Sequence, residues 1–222
     1  SELLLGEAFD LFDSDGEWAF GRRVADFYTG WVRASSLGPA SESVPDRIVS
    51  APVAQLFAQA DIKAPVIAEL PLGARLAGIS GERFFAVAGG GFVHVRHIAA
   101  FPAAPIDVAR RFSGAPYLWG GRTPSGVDCS GLVQAALAAC GIAAPRDTDQ
   151  QLAAIGTAID FEARQAGDLV FFPGHVGILA SRDRLFHANA HWMATLEEPL
   201  ADVIDRLVAA GEARPVSGVR RP

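Results

Sequence analysis

Cysteine and basic residues are both scarce in this 222-residue sequence. Two cysteines are far too few for the disulfide framework of a small secreted domain. Lysine and arginine total 19 against 25 aspartates and glutamates, and the formal net charge of −6 argues against nucleic acid or an anionic membrane surface as a partner. The longest strongly apolar stretch, residues 131–144, is shorter than the roughly 20 residues that cross a bilayer. We therefore expect a globular protein without a membrane span.

The first residues, Ser1 to Glu7, contain neither a basic start nor a long apolar core. No secretion signal is visible in them. This favours a cytoplasmic location over the periplasm or the cell surface, although removal of a signal would leave the same pattern.

Glycine and proline, with 23 and 14 residues, are above average usage and indicate many turns and short strands. The composition changes near Phe101–Pro105, where we predict a linker. Before it, Gly30-Trp31-Val32 aligns with Gly91-Phe92-Val93, and Leu5-Gly6-Glu7 aligns with Leu72-Gly73-Ala74. These two correspondences indicate a repeated small β unit.

Alternating apolar residues predict strands in this first zone at residues 17–24, 28–33, 64–76, 84–88 and 91–94. The second copy, with its Leu-Pro-x-Gly, aromatic strand and Gly-aromatic-Val, resembles a bacterial SH3-like domain. The first copy matches only from its Leu-Gly-Glu onward, so it would lack its opening strand. The resemblance implies two small all-β barrels, over residues 1–45 and 46–103.

The second zone combines one apolar helix with strands. Leucines, valines and alanines at helical spacing over Ser130–Ala139 predict a buried helix with Cys129 at its start. A helical turn is expected at Asp149–Ile155, and strands at residues 168–172, 175–180 and 184–188. A helix followed by an antiparallel sheet predicts an α+β domain over residues 104–222.

Cys129 and two histidines of this zone form a candidate catalytic group. Only a thiolate attacks a carbonyl well, so a catalytic cysteine needs a helix amino terminus, a nearby imidazolium, or both. His175, just after the Pro173-Gly174 turn, is the candidate base. His187 lies one predicted strand later, where it would sit beside His175 and hold its tautomer and orientation.

Each of these residues also has an ordinary structural explanation. A cysteine before an alanine-rich helix is more often an inert small apolar residue, and Cys140 is assigned no role. A helix would hold Cys129 and Cys140 about 16 Å apart, beyond the reach of a disulfide. A histidine at the start of a strand is usually structural. Paired histidines also suit a metal, but no third ligand-like residue has a tight spacing, so neither a metal nor another cofactor is expected.

Five motifs occur in one order over about residues 104–190: Pro116-Tyr117-Leu118-Trp119-Gly120-Gly121, Asp128-Cys129-Ser130-Gly131-Leu132, Pro145-Arg146-Asp147-Thr148, Gly167-Asp168-Leu169-Val170-Phe171-Phe172 and His175-Val176-Gly177-Ile178. Together they resemble the NlpC family of bacterial cell-wall cysteine peptidases. The resemblance implies a papain-like α+β catalytic domain with a helix-borne nucleophile, Cys129, packed on an antiparallel sheet. It makes His175 the base and His187 the orienting residue. It also places Tyr117 near the oxyanion, where the alternative is a packed aromatic ring.

Family members with amino-terminal SH3-like domains resemble γ-D-glutamyl-diamino-acid peptidases, whose stem-peptide substrates carry a free amino-terminal L-Ala. A free ammonium needs a carboxylate, and Asp128 is the candidate, with Ser130 as a hydrogen-bonding neighbour. Arg146 is the candidate partner for the α-carboxylate of D-Glu, assisted by Thr148, and Tyr28 for walling the groove. The structural alternatives are a helix cap for Asp128, a solvated surface arginine for Arg146 and a turn tyrosine packed on its own barrel for Tyr28.

The expected function is therefore hydrolysis of the bond between γ-D-Glu and a diamino acid, either diaminopimelate or lysine, in cell-wall turnover or recycling. The expected substrate partner is a murein peptide of the form L-Ala-γ-D-Glu-diamino acid. Two alternatives stay open at this point: an amidase or acyltransferase that uses the same three residues on another substrate, and a catalytically silent peptidoglycan-binding module.

Overall fold

The computed structural model describes residues 1–39, 43–101 and 104–222. Two compact units make up the chain: Glu2–Phe101, and Pro102–Pro222 together with Ser1. Pro102 and Ala103 of the predicted linker lie outside the described residues, and so do residues 40–42, just before the predicted boundary between the two barrels. Within the described ranges, no helix combines the length and apolar content that crossing a membrane requires.

Short antiparallel strands build the amino-terminal unit. They are β1 (Phe9–Asp15), β2 (Trp18–Arg23), β3 (Thr29–Arg33), β4 (Arg47–Val49), β5 (Val53–Phe57), β6 (Val66–Pro71), β7 (Arg75–Leu76), β8 (Gly78–Ser80), β9 (Phe84–Val87), β10 (Phe92–His94) and β11 (Ile98–Ala99). The first three form one sheet in sequence order, and the others form a five-stranded sheet, β6-β5-β10-β9-β8, and a three-stranded sheet, β11-β4-β7. Single 3-10 turns follow β3 and β10, at Ala34–Ser36 and Val95–His97.

The predicted strands of this unit are present as β2, β3, β6, β7, β9 and β10. The prediction missed β1, in which three aspartates interrupt the apolar positions, and it also missed β4, β5, β8 and β11. The correspondence between Leu5-Gly6 and Leu72-Gly73 extends to the backbone, because both glycines have positive φ, +82° and +89°. Glycine is required at the first of these, since a Cβ on Gly6 would lie 2.3 Å from the carbonyl oxygen of Arg75.

The carboxyl-terminal unit has the α+β architecture that the sequence predicted. Its helices are α1 (Pro105–Ala109), α2 (Cys129–Ala139), α3 (Thr148–Ala154) and α4 (Leu200–Ala209). Its strands are β12 (Arg122–Thr123), β13 (Gly126–Val127), β14 (Thr157–Ile159), β15 (Leu169–Phe172), β16 (His175–Ser181), β17 (Arg184–Asn189), β18 (Ala194–Pro199) and β19 (Gly218–Arg221). Apart from the β12-β13 hairpin, the strands form one antiparallel sheet in the order β14-β19-β15-β16-β17-β18.

Helix α2 packs against β16 and β17, and most of its residues are buried. Apolar residues of β15, β16, β17, β19 and α4 form a core that holds the sheet and α4 together, with members Val170, Phe172, Leu179, Leu185, Leu200, Val203 and Val219. The two predicted helices and three predicted strands are all present. The sequence analysis missed α1, β12, β13 and β14, which are short, and it missed β18, α4 and β19 because the motifs that guided it end at about residue 190.

Gly177 allows β16 and β17 to approach closely where the two candidate histidines lie. Alternate residues of a strand share a face, so Gly177 is on the same face as His175, two residues earlier. A Cβ at Gly177 would lie 2.8 Å from the Leu185 side chain and 3.0 Å from the Cβ of His187. The missing side chain therefore leaves room for His187 next to His175.

We predict that Gly177→Ala destabilises the protein by about 1–3 kcal/mol, the usual cost of overpacking a core. The added methyl has to displace Leu185 or His187, and both are fully buried. Urea denaturation of the two proteins measures the difference. An unchanged free energy of unfolding would contradict the requirement for glycine.

Candidate active site

Cys129 is the first residue of α2 and is buried, with 4% of its surface exposed. Its sulfur accepts hydrogen bonds from the backbone amides of Ser130 and Val176 and from the side chain of Thr148. Val176 directly follows His175 in β16. The contact between its amide and the sulfur therefore holds the start of α2 against the start of β16. The helix amino terminus and these donors are suited to stabilising negative charge on the sulfur during a reaction.

In the resting site the cysteine and its candidate base are both neutral. Burial raises the pKa of the Cys129 thiol, and the charge of Asp128 acts in the same direction, against the three hydrogen bonds to sulfur. Burial, and then the neighbouring His187, lower the pKa of His175 to about 3. A neutral imidazole is able to accept a proton. With His175 as the base, the thiol proton would move to it as the sulfur attacks; this role stays a prediction.

The two histidines are in direct contact. Nε2 of His175 lies 2.8 Å from Nδ1 of His187, and the ring centroids are 5.0 Å apart. His187 is fully buried in β17, so its ring has little freedom to turn. The hydrogen bond occupies Nε2 of His175 and holds that ring in one orientation.

A glutamate that the sequence analysis did not identify lies on the far side of His187. Oε1 of Glu198 is 2.8 Å from Nε2 of His187, and both carboxylate oxygens accept from Arg206, at 2.6 and 2.8 Å. Trp192 Nε1 and Asn189 Nδ2 donate to the same carboxylate at 3.3 Å. Glu198 belongs to β18, beyond the last predicted strand. Its signal in the sequence is weak, because it is one of two adjacent glutamates in a short strand.

Asp128 and Arg146 form a buried ion pair beneath the cysteine. Arg146 donates to both carboxylate oxygens of Asp128, at 2.6 and 3.0 Å, and to the hydroxyl of Ser130 at 2.8 Å. The Asp128 carboxylate also accepts from the backbone amides of Gly120 and Gly131, at 2.7 Å each. The helix-cap interpretation of Asp128 is therefore confirmed. The alternative of a solvated Arg146 is wrong, because only 4% of its surface is exposed.

These bonds occupy the groups that were predicted to bind substrate. A substrate ammonium at Asp128, or a substrate carboxylate at Arg146, would compete with a charged partner that is already in place. The binding roles of Asp128, Ser130 and Arg146 stay predictions. Their established contacts brace the turn that leads into α2.

Tyr117 and Thr148 both lie close to the cysteine. Burial, followed by the charges of Cys129 and Asp128, raises the pKa of Tyr117 to about 12, so its hydroxyl keeps its proton and is able to donate to an oxyanion. Thr148 is the first residue of α3, and its side chain bonds to the sulfur of Cys129. The oxyanion role of Tyr117 and the substrate role of Thr148 stay predictions.

Tyr28 belongs to the amino-terminal unit. It is 40% exposed, and its amide donates to Asp26 in the turn between β2 and β3. Its predicted role in walling a groove stays a prediction. Cys140, at the end of α2, is a free thiol like Cys129. Within residues 1–39, 43–101 and 104–222, no cluster of three or more histidine, cysteine or acidic side chains is arranged to hold a metal ion.

A buried cysteine at the start of a helix, with a pair of histidines on the two adjacent strands packed beside it, is the arrangement of a papain-like cysteine peptidase. Comparison with known families agrees with this class. Residues 114–201 match the NlpC/P60 family, and residues 1–37 match the family described as the bacterial dipeptidyl-peptidase Sh3 domain. The chain therefore carries a cysteine peptidase domain of the NlpC/P60 family together with an SH3-like domain, as the ordered motifs predicted.

Two curated relatives differ in how much of the chain they match. The γ-D-glutamyl-L-lysine dipeptidyl-peptidase of Bacillus subtilis is 28% identical over 85% of this chain and 71% of its own length. The bifunctional muramidase/DL-endopeptidase CwlT of the same organism is 44% identical, but over only 36% of this chain and 27% of its own length. The chain thus spans about a quarter of the second relative.

The fold of the whole chain also occurs in a crystal structure. An NlpC/P60 family protein from Bacillus cereus superposes with a TM-score of 0.83 at 24% sequence identity, covering 99% of this chain and 80% of that one. At this identity the likeness is one of fold.

We predict that Arg146→Met destabilises the protein by about 3–5 kcal/mol, because it leaves the buried Asp128 charge without its partner. Asp128→Asn in the same chain should restore part of the loss, since the amide oxygen still caps α2 but carries no charge. Denaturant unfolding of the two single variants and the double variant measures the coupling. A normal stability for Arg146→Met, with only the KM for substrate raised, would instead favour direct substrate binding.

Proposed function

We propose that this protein is a peptidoglycan stem-peptide hydrolase that cleaves the bond between γ-D-Glu and a diamino acid in peptides with a free amino-terminal L-Ala. The observation that carries the proposal is the extent of the match to the dipeptidyl-peptidase relative, which includes the SH3-like region as well as the catalytic domain. The endopeptidase relative, in contrast, matches little beyond the catalytic domain.

The site geometry supports acyl transfer through a covalent intermediate. The sulfur of Cys129 attacks the γ-carbonyl carbon of D-Glu while His175 takes its proton, which gives a tetrahedral oxyanion. A protonated Tyr117 hydroxyl is available to donate to that oxyanion. When the intermediate collapses, the C–N bond breaks and His175 returns the proton to the leaving amine of the diamino acid.

Hydrolysis of the thioester completes the cycle. Water attacks the same carbonyl carbon, and His175 accepts one of its protons. The C–S bond then breaks, the sulfur recovers a proton, and L-Ala-D-Glu leaves. The hydrogen bond to His187 keeps Nδ1 of His175 directed toward the reacting atoms in both halves of the reaction.

The proposal requires that the free amine of the substrate is recognised. We expect release of L-Ala-D-Glu from L-Ala-γ-D-Glu-meso-diaminopimelate and from the corresponding lysine peptide. Chromatography and mass spectrometry measure this release. The amino-acetylated peptide should react with a kcat/KM lower by about 10- to 100-fold, the value of one hydrogen bond to a charged group. Equal cleavage of both forms would overturn the free-amine requirement, and no release of L-Ala-D-Glu would overturn the substrate.

Variants of the two cysteines provide a matched control for this assay. Cys129→Ser should lower kcat by about 10³-fold or more, because the less acidic hydroxyl replaces the attacking thiol. Cys140→Ser should leave kcat unchanged.

An added amine acceptor distinguishes hydrolysis from transfer: formation of a new amide in place of the free dipeptide would favour the acyltransferase alternative.

A further inference from the structure

We propose that Glu198 is a positioning residue of the catalytic group, and that its carboxylate fixes the tautomers of His187 and His175 so that the base nitrogen faces the thiol unprotonated. The proposal rests on the cysteine-peptidase chemistry proposed above, but not on the identity of the peptide. It extends the three-residue arrangement to a chain of four: carboxylate, imidazole, imidazole and thiol.

The direction of the hydrogen bonds follows from the acceptor at the end of the chain. An ionised carboxylate only accepts, so the 2.8 Å contact with Glu198 places a proton on Nε2 of His187. A ring that carries its one proton on Nε2 accepts at Nδ1, so the 2.8 Å contact between the rings places a proton on Nε2 of His175. Nδ1 of His175 is left with a free lone pair.

The contacts of Asn189 bear on the alternative, in which Nε2 of His187 accepts a hydrogen bond and does not donate one. Its Nδ2 lies 3.3 Å from Nε2 of His187, so it would suit a tautomer in which that nitrogen accepts. However, Nδ2 lies equally close to the Glu198 carboxylate, and Oδ1 accepts from the amide of His191 at 2.6 Å, which fixes the orientation of the Asn189 amide. The shorter contact with the charged acceptor therefore decides in favour of a proton on Nε2 of His187.

The surroundings of Glu198 keep it ionised. Burial acts to raise its pKa, but hydrogen bonds from His187 and Arg206 outweigh burial and lower the pKa to about 2. From α4 it faces the Arg206 guanidinium, which also lies near Asp202. From β17 and the turn after it, Glu198 faces His187, Asn189 and Trp192. The carboxylate is thus available as a fixed acceptor at every pH at which the enzyme would work.

The charge of Glu198 also has an effect during the reaction. When His175 takes the thiol proton, a positive charge appears at a buried site whose surroundings otherwise disfavour it. The Glu198 charge acts against that effect, because it raises the pKa of His175, whereas burial, His187 and Arg206 lower it. Glu198 therefore favours the imidazolium in the transition state as well as the correct tautomer in the resting state.

A purely structural explanation of the same contacts is that Glu198 and Arg206 tie α4 to the sheet. Asp168 and Arg221 form a comparable pair in the same unit, since Arg221 donates to both oxygens of the buried Asp168 at 2.8 Å. No hydrogen bond joins Asp168 to either histidine among the contacts of the described residues. Asp168→Asn is therefore a matched control for the loss of a buried carboxylate.

The experiment measures the alkylation rate of Cys129 by iodoacetamide from pH 5 to 9, in the full chain carrying Cys140→Ser. The parent protein should show a rate that is nearly independent of pH around neutrality, because His175 assists deprotonation. Glu198→Gln should lower the rate at pH 7 by about 10- to 100-fold and give a rate that rises with pH as the unassisted thiol ionises. Glu198→Asp should recover much of the loss, whereas Asp168→Asn should keep the parent profile.

Two outcomes would overturn the proposal: a parent-like profile for Glu198→Gln, or the same change in profile for Asp168→Asn. If Glu198→Gln does not fold, nitrogen NMR of the two imidazoles in Cys129→Ala replaces it. Protons on Nε2 of both rings support the assignment, and a proton on Nδ1 of His175 at neutral pH overturns it. If the parent protein does not cleave the peptide but its alkylation profile depends on Glu198, the proposed substrate is rejected and the role of Glu198 is supported.

Discussion

The contact between the two imidazoles is the interaction on which the site depends. In the proposed reaction His175 presents one particular nitrogen to the cysteine, and its only hydrogen bond to a side chain among the described residues is the one to His187. The antiparallel pairing of β16 with β17 places the two histidines side by side, and Gly177 removes the side chain that would stand between the strands. Sheet register, a glycine and a fully buried imidazole thus act together to orient one proton acceptor.

Two ion pairs hold the ends of this arrangement: the first is buried, and the second joins the buried Glu198 to the half-buried Arg206. Asp128 and Arg146 brace the start of α2 below the sulfur, and Glu198 and Arg206 stand behind the histidines. Burying charges costs free energy that mutual attraction does not always recover, so stability alone does not explain why ion pairs occupy these places. What both provide is a defined position: each carboxylate is surrounded by donors in fixed places, and each therefore fixes the backbone or ring that it contacts.

The positions of Cys129, His175 and His187 in one site could be predicted because each lies in, or one strand after, a motif with a local physical reason. Cys129 precedes a continuous helical pattern, and His175 follows a tight turn. Glu198 could not be predicted in the same way. It follows Glu197, which bonds to Arg184 and Arg110 near the surface, and nothing local distinguishes the two acids. Only the register of β18 on β17 decides which of them points to His187, and register depends on the folded sheet. The burial of Arg146 could not be predicted from the sequence either, because arginine side chains are ordinarily exposed.

The neutral state of Cys129 and His175 at rest also depends on burial in the folded chain. Burial that raises the pKa of the thiol and lowers that of the imidazole looks unfavourable for catalysis if only the resting enzyme is considered. However, catalysis depends on the difference between ground state and transition state. A site that withholds charge at rest, and meets the emerging thiolate and imidazolium with fixed amides and a fixed carboxylate, stabilises the transition state more than the resting state.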